Sequence, residues 1–359
     1  MSEFGACYKG KTVLVTGHTG FKGSWLTIWL RLLGANVVGY ALEPITSKDN
    51  FVLTDLTHKM EDIRGDIRDR KQLQKVFDQY APDFVFHLAA QPLVKWSYKE
   101  PVYTYETNVM GTINVLECMR SSQKKQVGIF ITTDKCYENK EQIWGYREED
   151  ALGGYDPYSS SKGAAEIAIN SWRSAFMNPK DYTSHHKSIA SVRAGNVIGG
   201  GDWAKNRIIP DCIRSIEKGE PIEIRSPHAI RPWQHVLEPL SGYLMLGEKM
   251  WANPTAFCEG WNFGPYSHQI LTVQQVAQAL IDAYGKGSLQ VVEATEHEAE
   301  LLTLDITKAF WYLKWHPTLN WREMIQYTVD WYKAYTNCNV YMFCEEQIQD
   351  FMRKQKVND

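Results

Sequence analysis

The chain is predicted to fold as an α/β protein, a doubly wound parallel sheet carrying a smaller α+β lobe. Three features of its 359 residues predict this. The first half alternates short β-branched apolar runs with segments of helical period. A glycine-rich turn joins the first run to the first helical segment. The alternation stops near Gly199. Strands alternating with helices imply parallel pairing through crossovers, with ligands at the carboxyl ends of the strands.

Taken in order, Lys11–Thr16 (KTVLVT) reads as the first strand and Gly17–Gly23 as the turn. Phe21–Leu33 reads as a buried helix with Gly34 as its stop signal. Asn36–Leu42 is a second strand. In Arg70–Tyr80, Leu73, Val76, Phe77 and Tyr80 fall at helical spacing. Phe84–Ala89 and Val127–Thr132 are further buried strands, separated by a helix around Asn108–Met119. From Gly199 to Asp202 (GGGD) onward, Pro210, Pro221, Pro227 and Pro232 mark irregular chain. A helix at Val273–Tyr284, a short strand at Leu301–Leu304, a helix from Asp305 and two last helices, about Trp321–Tyr335 and Cys344–Lys354, complete the smaller lobe.

Composition narrows the function classes. Apolar residues make up 44% and charged ones 23%, a globular balance, and roughly 75% of the surface of a chain this long is buried on folding without staples. Lys and Arg number 39 against 42 Asp and Glu, so the basic excess of a nucleic-acid binder is missing. The 13 Trp and 19 Tyr suit sugar or base stacking and equally an ordinary core. Seven scattered cysteines with no C-x-x-C pair argue against a disulfide framework or zinc site, and His185-His186 has no metal-ligand spacing; no metal is expected. No apolar run approaches a membrane span, and the amino terminus lacks a signal-peptide pattern, so a cytoplasmic protein with no membrane partner is expected.

Thr16–Gly23 reads TGHTGFKG. Gly17 permits the tight turn, Gly20 lets backbone amides approach a pyrophosphate, and Gly23 allows close helix–strand packing, with Thr19, Phe21 and Lys22 between them. The following helix offers its positive dipole end. Lys22 precedes Gly23, the wrong order for a P-loop. Placed after the first strand, the pattern predicts a Rossmann-like dinucleotide site. In Gly65–Asp69, Asp66 is either an acceptor for an adenine amine or part of a solvated turn. Neither an acid nor an arginine stands at the end of the second strand; Glu43, 20 residues after Gly23, is the nearest acid. NAD is favoured over NADP on this pattern.

Asp156 and Pro157 form a helix start, as N-cap and first residue. Tyr158 and Lys162 follow at i and i+4, on one face. A free tyrosine loses its proton near pH ~10, and a neighbouring ammonium is expected to lower that value. Thr132-Thr133-Asp134 closes the strand before them.

The glycine cradle, HLAAQ at His87–Gln91, Asn108, Thr133 and Tyr158/Lys162 together resemble the extended short-chain dehydrogenase/reductase family over Lys11 to about Tyr335. Within it, Thr133-Asp134 resembles the signature of nucleotide-sugar 4,6-dehydratases, as do RAGNVIGGGDW (Arg193–Trp203), NRIIPD (Asn206–Asp211), RPWQHV (Arg231–Val236) and WNFGP (Trp261–Pro265). The resemblance implies an NAD-binding Rossmann domain of residues 1–198 and about 234–260, with a nucleotide-sugar-binding domain of about 199–233 and 261–359. It implies that Gly17, Gly20, Gly23, Asp66 and Ile67 bind NAD, that Leu88, Ala89 and Ala90 line its ribose side, and that Lys162 holds the nicotinamide ribose. Thr133 and Tyr158 would hold the hydroxyl on carbon four of the sugar, and Asn196, Arg231 and Arg207 the diphosphate; for Arg207 a plain solvent-exposed arginine is an equal reading. The implied substrate is CDP-D-glucose, and the implied assembly is a homodimer or a tetramer of dimers, paired through the helices beginning near Val102 and Pro157.

The reaction so implied removes water. Tyr158 takes the carbon-four hydroxyl proton as hydride leaves for NAD; the ketone acidifies carbon five; water departs with Asp134 as acid; hydride returns to carbon six. Related enzymes carry Asp-Glu where this chain has Asp134-Lys135. Lys135 is then either a neutral amine base beside a protonated Asp134, the favoured reading, or a charged partner in an ion pair. The alternatives are a nucleotide-sugar epimerase of the same family, which has no task for an acid beside Thr133, and a non-catalytic dinucleotide sensor, which would not need Tyr158 and Lys162.

Overall fold

The computed structural model describes residues 4–269, 271–292 and 301–358. In chain order its strands are β1 (Thr12–Thr16), β2 (Asn36–Ala41), β3 (Glu61–Arg64), β4 (Phe84–His87), β5 (Gln126–Ile131), β6 (Lys187–Ala194), β7 (Val197–Ile198), β8 (Ile222–Ile224), β9 (Ile230–Arg231), β10 (Gln234–His235), β11 (Gly260–Phe263), β12 (Leu271–Thr272) and β13 (Leu289–Val291). Seven of them form one parallel sheet in the order β11-β6-β5-β4-β1-β2-β3. The order reverses between β1 and β4, and it is there that a doubly wound sheet opens a crevice for ligand. The main helices are α1 (Phe21–Leu32), α2 (Arg70–Tyr80), α3 (Gly111–Ser121), α4 (Pro157–Ala175), α5 (Ile208–Lys218), α6 (Leu237–Ala252), α7 (Val273–Tyr284), α8 (Trp321–Ala334) and α9 (Val340–Asn358).

The sheet is buried on both faces, as its continuous apolar runs require. In β1, Val13 and Val15 enter one core and Leu14 the other. Helix α1 is apolar nearly all round: Trp25, Leu26, Ile28, Trp29 and Leu30 are fully buried. Each such side chain contributes ~1.5–3 kcal/mol when removed from water. The cause is double coverage, with the sheet on one side and α9 on the other, where Trp29 meets Phe351 edge-on at 5.7 Å. Gly34 ends the helix as expected: at φ +79° it donates to Arg31 O, while Ala35 N reaches Leu30 O.

Three expectations change. The strand at Leu301–Leu304 is two isolated bridges, Leu301 to Ile230 and Leu304 to Tyr146, because its ends meet different neighbours and no ladder can continue. Helix formation after Asp305 is limited to a short stretch ending in a π-type turn, Ala309–Leu313. The helix around Asn108 starts earlier, at Pro101, and passes through a π-type turn, Glu106–Met110, before α3. There the buried Asn108 bonds Gln91 and, at 2.9 Å, Ser161 Oγ of α4. Trp261–Phe263 of WNFGP lie in the edge strand of the main sheet, and α9 packs on α1, so both segments placed by sequence in the second lobe contact the first.

Candidate active site

The cradle follows β1 at the reversal point. Gly17 has φ +75°, and a Cβ on it would stand 2.7 Å from Ala89 N. A Cβ on Gly23 would stand 2.1 Å from Gly17 O. Gly20 is exposed and meets only Gly17 O, at 3.3 Å, so its outer side is open. It caps α1 without a side-chain hydrogen bond, which leaves the first amides of the helix for a ligand. These features fit the pyrophosphate of a dinucleotide. Thr19 Oγ1 donates to Leu42 O at 3.0 Å, pinning the loop to the end of β2. Phe21 and Lys22 are half-buried at the helix start; Leu88, Ala89 and Ala90, also half-buried, line the loop after β4, where Leu88 N donates to Thr16 O.

In the Gly65–Asp69 turn, Asp66 is engaged by its own neighbour. Asp66 accepts from Arg68 N at 2.9 Å and forms a side-by-side pair with its guanidinium, Nη2 to Oδ2 at 2.7 Å. Arg68 also reaches Glu106 at 3.1 Å. A base amine would therefore share a carboxylate already engaged by its neighbour. Arg68 holds that carboxyl below the usual range. Asp66, Arg68, Asp69, Glu106 and Met110 line a cavity of about 500 Å³. Ile67 is buried beneath, its carbonyl accepting from Asn114 Nδ2.

The sheet register also places Arg64 of β3 opposite Ala41 of β2, so an arginine does stand beside the second strand's end. Its guanidinium is committed to Asp62 at 2.9 Å and Glu43 at 3.2 Å. Asp62 accepts as well from His18 Nε2 at 2.8 Å. The fully buried His18 ring lies on Gly39, where a Cβ would come within 2.4 Å of it. Neither His18 nor Asp62 is legible as a site residue in sequence, since they are 44 positions apart and join only through strand pairing.

On the other side, Asp156 caps α4 by accepting from Ser159 N, with Pro157 as first residue. Tyr158 and Lys162 are both buried on its inner face. Lys162 Nζ donates to Ile131 O at 3.2 Å, fixing it at the end of β5. Burial lowers its pKa to about 8, partly offset by Glu166. The expected lowering of the tyrosine is reversed: burial pushes the Tyr158 phenol up to about 12, with the Thr133 hydrogen bond and Arg207 offsetting only part. Desolvation of an anion in this pocket outweighs its cationic neighbours.

Thr133 caps the turn after β5 and donates to Asp134 Oδ1 at 2.9 Å. Asp134 is fully enclosed, and its Oδ2 is buried with no hydrogen-bond partner. Lys135, 30% exposed, brings Nζ to 3.4 Å from Asp134 Oδ1. Gly195 stands against that orphan oxygen, with an added Cβ 3.1 Å from Oδ2 and 2.2 Å from Pro232. The loop after β6 and the loop holding Arg231 thus close on Asp134 together. Asn196 follows Gly195, its Oδ1 buried without a partner. Arg231 lies in β9, Nη1 donating to Ile230 O. Arg207 is fixed by Asp202 at 2.9 Å, and not free in solvent. It faces Tyr158 and Lys22 electrostatically. Lys22 is brought down to about 7, first by burial, then by Lys162 and Arg207, while Asp134 opposes the shift.

Hydrogen bonds and charge interactions therefore link Lys22, Thr133, Asp134, Lys135, Tyr158, Lys162 and Arg207, Gly195 brings its neighbour Asn196 beside Asp134, and Asp66 lines a separate cavity with Arg68 and Glu106. Sequence reasoning missed Glu166 and Arg193, a buried pair behind Lys162 at 2.8 Å. The signal was Tyr158, Lys162 and Glu166 at successive i+4 positions. Among the described residues no three His, Cys, Asp or Glu side chains group as metal ligands, and no helix is long and apolar enough to cross a membrane.

The chain resembles known proteins over nearly its whole length. The chain is 46% identical to the CDP-glucose 4,6-dehydratase of Salmonella typhimurium over 348 residues, which is 96% of this chain and 97% of that protein. Its fold is that of the UDP-glucose 4-epimerase of Thermotoga maritima solved with UDP-glucose, at TM-score 0.77 and 22% identity, covering 91% of this chain and 100% of that one. It is equally that of the dTDP-glucose 4,6-dehydratase of Streptomyces venezuelae solved with NAD and TYD bound, at TM-score 0.76 and 21% identity, covering 90% and 97%. The profile of the GDP-mannose 4,6 dehydratase family matches residues 14–328, and the chain belongs to that family.

Proposed function

We propose that this protein is an NAD-dependent hydro-lyase that converts CDP-D-glucose to CDP-4-dehydro-6-deoxy-D-glucose and water. The observation that carries the reading is 46% identity over nearly the whole length of a CDP-glucose 4,6-dehydratase, joined to an acid and an amine 3.4 Å apart and a tyrosine and a lysine buried on one helix face. Gly17, Gly20, Gly23 and Lys162 would hold NAD, which when bound would supply a reversible hydride acceptor, so that the reaction carries no net redox change.

Tyr158 removes the proton from the carbon-four hydroxyl, which Thr133 orients. Its phenol, pushed up to about 12 by burial, needs added positive charge to act near neutrality, and cations favour the phenolate. The ketone that forms acidifies the hydrogen on carbon five. Asp134 and Lys135 then work as one unit. The carboxylic acid with a free amine contains the same protons as the ion pair, and one transfer over 3.4 Å interconverts them. In the neutral form the Lys135 amine takes the carbon-five proton while Asp134 protonates the departing hydroxyl. Water leaves, and the ion pair remains. Asn196, Arg207 and Arg231 hold the diphosphate. The seven unpaired cysteines support a cytoplasmic setting, and the product is a precursor for dideoxysugars of a surface polysaccharide.

The test is incubation of the pure protein with CDP-, dTDP-, UDP- and GDP-glucose, following the 4-keto product. CDP-glucose should be consumed well ahead of the others. Equal turnover of dTDP-glucose rejects the nucleotide assignment, and a 4-epimer formed without loss of water would make the chain an epimerase.

A further inference from the structure

Glu166 sits one turn beyond Lys162 on α4, on the same face. It is 3% exposed, yet both oxygens are occupied. Thr132 Oγ1 donates to Oε1 at 2.5 Å; Ser191 Oγ and Arg193 Nη2 donate to Oε2 at 2.7 and 2.8 Å. Thr132 directly precedes Thr133 and Asp134, while Ser191 and Arg193 belong to β6, which leads into Gly195 and Asn196. Arg193 continues to Tyr137 Oη at 2.7 Å and to the Glu148 carbonyl at 2.9 Å. One carboxylate therefore joins the helix of Tyr158 and Lys162 to both strand ends that enclose the reacting groups.

We propose that Glu166 is a positioning residue of the reaction, acting through Lys162: it locks α4 to the ends of β5 and β6 and is the counter-charge of the Lys162 ammonium. The inference rests on the function proposed above and adds a residue to it.

The groups around Lys162 leave Glu166 alone in that role. Tyr158, on its own helix, is held neutral by burial. Cys136, after β5, is a thiol pushed well above its ordinary value by burial, so it carries no charge. His87 of β4 is brought down to about 3 and is neutral as well. Lys22, at the start of α1, is a cation or neutral. Asp134 is paired with Lys135. Glu166 is ionised: burial opposes this, but Arg193 and the hydrogen bonds hold its carboxyl below the ordinary range.

The test reads Lys162 directly. Lysine labelled with ¹³C at Cε is titrated by NMR in the NAD-free and NAD-saturated protein, with the Lys162 signal assigned through Lys162→Met. In Glu166→Gln the midpoint should fall by at least about half a pH unit, as loss of a nearby opposite charge requires, and the alkaline limb of turnover should move down with it. A folded variant with an unmoved midpoint overturns the proposal. Because Glu166→Gln strands the Arg193 guanidinium, Glu166→Gln/Arg193→Gln is titrated alongside; loss of the Arg193 cation acts the opposite way on Lys162, so a smaller fall in the midpoint is expected there. If neither variant folds, the pair is only structural and the proposal falls. The NMR midpoint needs no substrate, so absence of a 4-keto product from the wild-type protein would sink the proposed reaction while the coupling of Glu166 to Lys162 is still decided.

Discussion

Lys135 Nζ and Asp134 Oδ1 stand 3.4 Å apart, and the other carboxylate oxygen is buried against Gly195 with no partner. An enclosed acid with one open oxygen and a half-buried amine at its side is suited to passing one proton in and one proton out. If the amine is the base, Lys135→Met should still reduce bound NAD when substrate is added. It should then fail to exchange the carbon-five hydrogen with deuterated solvent. Exchange at the wild-type rate would assign that proton to another group.

Tyr158→Phe removes only a hydroxyl, so the packing loss should stay below ~1.5 kcal/mol. Folding and NAD binding should persist. Formation of the ketone should drop by about 10²–10⁴-fold, the usual worth of a positioned proton acceptor. Near-normal turnover would mean that another residue takes the hydroxyl proton.

Gly23→Ala introduces a Cβ 2.1 Å from the Gly17 carbonyl, a backbone atom that cannot swing aside. Overpacking of this kind costs about 1–3 kcal/mol. The variant should melt several degrees lower and lose NAD affinity, since the turn that presents the α1 amides must open. Calorimetric titration with NAD checks this; unchanged affinity would show that the cofactor does not use the cradle.

Glu238 of α6 is buried where it accepts from the backbone amides of Thr318 and Leu319. Burial pushes its pKa up to about 8 from 4.5. A raised folded value means that the folded state binds the extra proton between these limits. The contribution to stability is thus complete below about 4.5 and is lost as pH rises through about 8. Glu238→Gln keeps an acceptor for the amides and removes the titration. Its melting temperature should decline less than that of the wild type between pH 5 and 8.

Self-association is expected through α4 and the helical stretch from Pro101 to Ser121. Val102 is 70%, Met110 50% and Ile167 60% exposed, while Tyr105 Oη donates to Ser160 Oγ at 2.7 Å and ties the two segments together. Burying such residues against a second copy would supply the apolar core of a dimer interface. Sedimentation at micromolar concentration should give a dimer or a tetramer, and Ile167→Asp should weaken it. A monomer in the wild type would refute the interface.

The alternating half of the chain is legible because each element there declares itself locally. Arg70–Tyr80 forms a helix with the bounds its apolar spacing indicates, and Asp156-Pro157 starts α4 through contacts within four residues. The cradle and the Tyr158/Lys162 pair are legible for the same reason, being short-range patterns whose chemistry is fixed by spacing. β6 is not: KSIASVRA carries four polar residues, all buried, which defeats a hydrophobic pattern. Those residues find partners on other elements, as when Ser191 and Arg193 meet Glu166. Likewise His18 with Asp62, Arg64 with Ala41, and Gly195 between Asp134 and Pro232 exist only through strand order and loop closure. By itself the sequence determined much of the alternating half, the glycine cradle and the placing of Tyr158 and Lys162 on one helix face, because local backbone and side-chain preferences act over a few residues. Tertiary structure alone decided which charges share a desolvated space. That is why the Tyr158 phenol moved upward: the cost of burying a charge depends on every element that closes around it, and no spacing along one helix contains that information.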